Sequence, residues 1–210
     1  MPYSAEHKRE TRERILESAR RLFNRKGFAD VSIGEVMDNA GLTHGGFYRH
    51  FRDKDALYAE AVRWFLCEAA PKPWQGRQRK AVRKSRGERV IDAYFSRDHF
   101  DDRESCCPLV ALPSDVARGG EEVKTAYQDV LVKLAQILQG DIRGPRARER
   151  ALAQVALCVG GLVAARSVDD AALAGDLLRA AQRQAHALGG WRSRSALHRA
   201  TASRTARAPR

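Results

Sequence analysis

No apolar run in this sequence approaches the roughly 18 residues that a membrane-spanning helix needs. The opening residues, MPYSAEHKRETRERI, are charged throughout and lack the apolar centre of a secretory signal. A cytoplasmic location with no membrane partner is therefore expected. Cysteine is scarce: Cys67, Cys106, Cys107 and Cys158 are all there is. They form no CxxC pair that would suggest zinc, and thiols in the cytosol stay reduced. Adjacent Cys106 and Cys107 cannot easily bridge within ordinary backbone geometry. The sequence also lacks a glycine-rich phosphate loop, any metal-ligand spacing, and any nucleophile with a local histidine and acid. Its six histidines, His7, His44, His50, His99, His186 and His198, are scattered. These absences argue against an enzyme, and no catalytic residue, metal or cofactor is expected. Strand-like alternation is missing too, which leaves an all-α fold.

What the sequence has in excess is positive charge, +12 over 210 residues, unevenly spread. Residues 1–66 are nearly balanced, with about 12 basic and 10 acidic side chains. The run PKPWQGRQRKAVRKSRGERV, residues 71–90, holds about eight basic groups against one acid and reads as a linker or an exposed helical extension. From Trp191 onward there are six arginines and no acid, a composition expected of a disordered tail. Such charge favours an anionic partner, although a basic tail is often only solvated.

Helical patterning begins at Glu6 and runs to Lys26, with Ile15, Ala19, Leu22 and Phe23 on one face and Gly27 placed to cap the end. Ser32 followed by Glu35 reads as a capping box for a second helix carrying Ile33, Val36, Met37 and Ala40. Gly41 stops it after about two turns. Thr43 is a suitable N-cap for another short helix, His44 to about His50, and Asp53 for one that starts at Lys54. Two short helices joined by a tight turn containing glycine, after a long amphipathic helix, describe a helix-turn-helix. Helices this short are marginal alone. They need a shared core, read here as Leu22, Phe23, Phe28, Ile33, Val36, Met37, Leu42, Phe47, Phe51 and Leu57.

The stretch GLTHGGFYRHF holds the chemistry. Phe47 and Phe51 at i, i+4 point inward, which turns Tyr48, Arg49 and His50 outward. Thr43, His44, Gly45 and Gly46 form its first turn. Hydroxyl, imidazole and guanidinium groups suit phosphate oxygens, and arginine can pair bidentately with guanine. Ser32 and Lys54, each at a helix start, can add phosphate contacts. Each glycine in a helix interior costs about 1 kcal/mol relative to alanine. Gly45 and Gly46 can be explained by close approach to DNA, or by tight packing between helices.

From Ile15 to Val62 the chain resembles the N-terminal DNA-binding domain of the TetR family of transcriptional regulators. The features that carry it are KGF before the second helix, the Ser32 cap, AGLT at the turn, FY-x-HF in the recognition helix and K-x-x-L after it. The resemblance implies an all-α homodimer: a helix-turn-helix domain at 1–53, and a helical ligand-binding and dimerisation domain at 54–189 bridged by the helix from 54. A basic tail occupies 190–210. It further implies double-stranded DNA with a palindromic operator as partner, and a small-molecule effector, most simply hydrophobic, that releases a repressor.

Further along, helical patterns cover Glu88–Phe95, Glu121–Gln139, Arg146–Arg166 and Asp169–Leu188, with breaks near Pro108 and Pro113. Trp64, Phe65, Tyr94, Phe95, Phe100, Cys107 and Tyr127 are candidate pocket residues, with core packing as the alternative for each. The small and apolar faces of the last two helices are read as a dimer interface: Leu157, Gly160, Gly161, Val163, Ala164, Leu177, Leu178 and Ala181. Cys106 and Cys107, flanked by proline and near Arg103, offer a second reading as a redox or electrophile sensor, if the thiols are exposed and acidic. A third reading is a non-specific DNA-coating protein acting through its basic run and tail.

Overall fold

The computed structural model describes residues 4–65 and 84–191. Every regular element among them is helical. Most of the basic run and the tail from residue 192 lie outside the described residues, as does Cys67.

Helix α1 spans Ala5–Lys26; Ser4 opens it by accepting from the His7 amide at 3.2 Å. Ile15, Leu16, Ala19, Leu22 and Phe23 form its buried stripe. Gly27 ends the helix by donating to the Phe23 carbonyl at 2.8 Å, but with φ 82° and ψ 174° it is not the left-handed cap expected. That extended conformation at positive φ belongs essentially to glycine. A Cβ there would also stand 2.9 Å from an oxygen of Asp115.

Helix α2, Ile33–Asn39, starts at Ser32, whose hydroxyl accepts from the Glu35 amide at 3.0 Å. The expected reciprocal box is weaker than anticipated, because the Glu35 carboxylate pairs chiefly with Lys26 at 2.6 Å. A complete box appears instead at Ser85 and Glu88, at the start of the helix Arg86–Tyr94. Gly41, at φ 66°, turns the chain after α2, and Leu42 donates back to Met37.

The recognition segment His44–Arg49 is a 3-10 helix rather than an α-helix. Gly46 donates to Thr43 and His50 to Phe47, both three residues back. Six residues with two glycines have little intrinsic drive toward an α-helix, and the tighter turn is the form short pieces adopt.

Helix α3, Lys54–Trp64, is capped by Asp53 and packs on both α1 and the long helix Glu121–Gln139. The sequence-predicted N-terminal core is realised: Leu22, Phe23, Val36, Met37, Phe47, Phe51 and Leu57 are buried, with Phe28, Ile33 and Leu42 packed at its edge.

The remaining elements are α4 Arg86–Tyr94, α5 Arg97–Asp101, α6 Pro108–Ala111, α7 Pro113–Arg118, α8 Glu121–Gln139, α9 Ala147–Arg166 and α10 Ala171–Gly189. Pro108 and Pro113 do not simply break the chain. Each sits in the first turn of a short helix, where a missing amide costs nothing. Gly161 meets Ala181, Gln154 bonds to Ala185, and Arg150 to Leu188, so α9 and α10 run antiparallel. Trp191 belongs to the fold rather than to the tail: its ring packs on Gly189 and Gly87, and its indole donates to Asp141 at 3.3 Å.

A short loop ties the two ends of the molecule together. Buried Arg20 and half-buried Asn24 of α1 both donate to the Glu104 carbonyl at 3.0 Å, and Asn24 also to that of Cys106 at 2.9 Å. From the other side, Arg166 at the end of α9 donates to the carbonyls of His99 and Phe100 at 2.6 and 3.1 Å. The Phe28 amide reaches Asp115 at 3.1 Å.

Candidate nucleic-acid interface

The turn after α2 and the burial of Phe47 and Phe51 fix the recognition segment on the bundle and decide which groups face out. Tyr48 is 64% exposed, the most exposed of the large hydrophobic side chains among the described residues, and stands edge-on to Phe47 at 5.1 Å. Thr43, His44 and Arg49 are exposed beside it. Thr43 has the backbone conformation of an N-cap, but its hydroxyl makes no capping bond and stays available. Ser32 is exposed at the start of α2, its hydroxyl engaged by Glu35.

The two glycines are not demanded from within. A Cβ at Gly45 would meet nothing within 4 Å, and one at Gly46 would make only ordinary contact with Met37 at 3.6 Å. Both have negative φ, so backbone conformation does not require glycine either. Tight intramolecular packing, one of the two explanations above, does not account for them.

Two expected contacts are placed differently. His50 is half-buried instead of outward, and its carbonyl accepts from the Arg12 guanidinium. Arg12 also pairs with Glu60 of α3 and lies over the Phe51 ring at 4.2 Å, so one side chain clamps α1, the recognition segment and α3. Lys54 turns inward: its ammonium bonds the Phe28 carbonyl and sits 4.2 Å above the Phe28 ring. Burial there lowers its pKa. Its aliphatic stem and head are used to hold the α1–α2 loop rather than to stand free at the helix start.

Sequence reasoning missed one wall of the site. His7, Lys8 and Thr11 of α1 face Thr43, Arg49 and His50 across a notch of about 570 Å³ that no carboxylate among the described residues lines. A signal was present: α1 begins at Ala5, yet its apolar stripe starts only at Ile15. Two to three turns of polar helix with no core to cover are a surface offered to something else.

The candidate pocket residues separate. Phe65, Tyr94, Phe95 and Cys107 are buried, while Trp64, Phe100 and Tyr127 are half-buried. Trp64 lines an open groove with Arg9, Glu13 and Leu16, and Tyr127 donates its hydroxyl to the Leu109 carbonyl at 2.9 Å. Tyr94, Phe95 and Cys107 gather near His99. The His99 Nδ1 donates to the Tyr94 carbonyl at 2.7 Å and its Nε2 accepts from the Cys107 amide at 3.3 Å. Those two bonds together specify one neutral tautomer, and burial lowers the imidazole pKa accordingly.

The cysteines lack the exposure a sensor needs. Cys106 and Cys107 are fully buried. Burial raises both thiol pKa values, that of Cys107 to about 12. Arg103 contributes its carbonyl, to which the Cys106 Sγ donates at 3.2 Å, and the nearby cations Arg166 and Arg20 only partly offset the burial.

The expected dimer face also divides. Gly161 and Ala181 meet inside the chain, where a Cβ on Gly161 would stand 2.6 Å from that of Ala181. Gly160 is open, with nothing within 4 Å; Leu157, Val163, Ala164, Leu177 and Leu178 are half-buried. Exposed Leu152 and Leu173, 40% and 47% accessible, were not anticipated.

Comparison with known proteins follows this division. The family model described as bacterial regulatory proteins, tetR family, matches residues 15–61, which run from mid-α1 into α3. The HTH-type transcriptional regulator AcrR of Shigella flexneri is 45% identical over 60 residues, 29% of this chain and 27% of that protein. The uncharacterized HTH-type regulator YerO of Bacillus subtilis is 27% identical over 164 residues, 73% of this chain and 54% of that one. These alignments thus span between about a quarter and a half of the curated relatives' own lengths. A crystal structure of a TetR-family transcriptional regulator from Agrobacterium tumefaciens shares the fold. It has a TM-score of 0.66 at 21% identity, covering 84% of this chain and 97% of that one. Residues 15–61 thus match the helix-turn-helix segment of bacterial regulatory proteins of the tetR family, and the described residues share their all-helical fold with a solved regulator of that family.

Proposed function

We propose that this protein is a sequence-specific transcriptional regulator that binds a palindromic operator as a homodimer and acts as a repressor released by a small hydrophobic effector. The observation that carries the DNA-binding part is the recognition segment itself. It presents Thr43, His44, Tyr48 and Arg49 outward, beside two glycines that nothing in the chain requires. Without side chains at 45 and 46 the backbone can approach a groove closely, while the flanking groups reach phosphates and base edges.

Dimerisation is supported by α9, which is apolar around its circumference yet leaves Leu152, Ala156 and Gly160 exposed. A helix of that kind is covered on more than one side. Two recognition segments would then address half-sites about 34–36 Å apart, one turn of DNA. The candidate effector region is the cluster of Tyr94, Phe95 and Cys107, next to the loop that Arg20 and Asn24 fasten to α1. A ligand that bound one spacing of the two segments better than another would shift operator affinity by that difference alone.

Mapping protected sites on genomic DNA with the purified full chain tests this reading. A two-fold symmetric footprint is expected, and a protected site without symmetry would overturn the homodimer. Removing residues 192–210 should weaken binding and flatten its salt dependence while leaving site choice intact. Loss of all binding on that removal would favour the non-specific coating protein instead.

A further inference from the structure

The notch between α1 and the recognition segment brings together His7, Lys8, Thr11, Thr43, Arg49 and His50, with no acid on its walls among the described residues. Lys8 and Arg49 have no ion-pair partner among the described residues. His50 is half-buried there, and its Nδ1 is buried without a hydrogen-bond partner. A buried ring nitrogen left unpaired is a cost the free protein carries. The charged groups facing the ring are Lys8 and Arg12 from α1 and Arg49 from its own segment. On the α3 side the acid is Glu60, already paired with Arg12. The notch therefore has a net positive field, the half-buried ring on its wall carries an unmet buried nitrogen, and it opens beside the outward Thr43 and Arg49.

We propose that this notch seats one phosphate of the DNA backbone between Lys8, Thr11 and Arg49, and that His50 takes up a proton from solvent as the phosphate enters. The inference rests on the operator-binding reading above and deepens it. An oxyanion is the occupant that the lining fits, since every polar group on it can donate. In the free protein, burial first, and then the charges of Arg12, Lys8 and Arg49, hold the His50 pKa below its ordinary value of 6.5. A phosphate reverses the sign of that field, which favours the imidazolium. No bond of the phosphate is made or broken; one proton moves from buffer to the ring. The sign follows from linkage: binding raises the pKa, so affinity is greatest below the free-protein pKa. It falls as pH rises toward the bound-state pKa, by about tenfold for each unit between them.

The test uses the full chain and a labelled duplex recovered by the protection mapping, at constant ionic strength. Affinity is expected to fall as pH rises from about 5 to about 8, by at most about tenfold for a one-unit rise in pKa. His50→Gln should flatten that dependence, and His7→Gln should retain it. Lys8→Gln should lower the slope of log affinity against log salt by about one per subunit, the loss of one phosphate contact. Calorimetry of the unmodified chain in buffers of different ionisation heat should show proton uptake near pH 6.5; it and the thermal melts of His50→Gln and His50→Asn guard against a variant that misfolds. An unchanged pH dependence in folded His50→Gln, no proton uptake by the unmodified chain, or an unchanged salt slope in Lys8→Gln would each overturn the proposal. Absence of duplex binding by the unmodified chain at every pH is a different failure, that of the operator-binding reading.

Discussion

Gly45 and Tyr48 are neighbours with opposite reasons to be where they are. A Cβ at Gly45 has empty space and a right-handed backbone to occupy, so replacing it with alanine should stabilise the fold by about 0.5–1 kcal/mol through the unfolded chain. The same methyl group stands where DNA would approach. Gly45→Ala is therefore expected to melt at a higher temperature and bind its operator more weakly; undiminished binding would remove the close-approach explanation. Tyr48 and Arg49 hold no part of the core, being exposed. Truncating either to alanine should leave stability within about 0.5 kcal/mol. Each should cost about 1–3 kcal/mol of operator binding if it reads a base edge. Anisotropy titrations beside thermal melts separate the two quantities. Thr43, His44, Tyr48 and Arg49 face outward as the inward Phe47 and Phe51 lead one to expect, whereas His50, which the same spacing turns outward, is half-buried. Lys54 and His50 were misread for the converse reason: their partners Phe28 and Arg12 come from other elements, and no local pattern announces them.

At the scale of elements, helix ends were the most legible feature. Ser32 and Asp53 each accept a main-chain amide at the start of a helix, which is local chemistry spelled by residue type. The 3-10 form of the recognition segment and the helices opened by Pro108 and Pro113 were less so, since short pieces take their shape from what they pack on. The α9–α10 hairpin shows a similar limit. Two consecutive glycines, Gly160 and Gly161, looked alike, yet only Gly161 is pressed against α10. Gly161→Ala is expected to destabilise the chain by about 1–3 kcal/mol in urea titrations, because the methyl group overpacks the crossing with Ala181. Gly160→Ala should leave the subunit's own packing unstrained. In the proposed dimer this face of α9 is the contact, so sedimentation should show Leu152→Glu shifted toward monomer, and a dimer of unchanged affinity would exclude it.

For the whole molecule, the central fact is how much neutral acid lies buried. Cys107, Cys158 and Tyr94 are fully buried, and burial raises the pKa of each, with Tyr58 and Tyr127 raised likewise. Groups whose folded pKa lies above the unfolded value lend stability that is complete below the unfolded pKa and is lost as pH rises toward the folded one. Ordinary thiols and phenols begin to titrate near 9.0 and 10.0. Stability should thus hold to about pH 9 and decline steeply above it. Urea midpoints at pH 7, 9 and 10.5 measure this, and a flat profile would contradict the burial. The same burial predicts that Cys106, Cys107 and Cys158 resist alkylation in the native state and react once unfolded, read site by site by peptide mass.

Sequence by itself determined the helical class, most helix boundaries, the N-terminal core and the outward groups of the recognition segment. Those depend on periodicity and capping within a few residues, and such interactions are written in the order of the side chains. Tertiary structure alone decided that Lys54 serves the fold, that the Cys106 and Cys107 thiols are sealed and protonated, and that Gly160 and Gly161 part company. It also decided that Lys8 and Thr11 stand across a notch from His50. Each of these turns on a contact between segments distant along the chain, where burial and the sign of the local field are set by neighbours that no local pattern names.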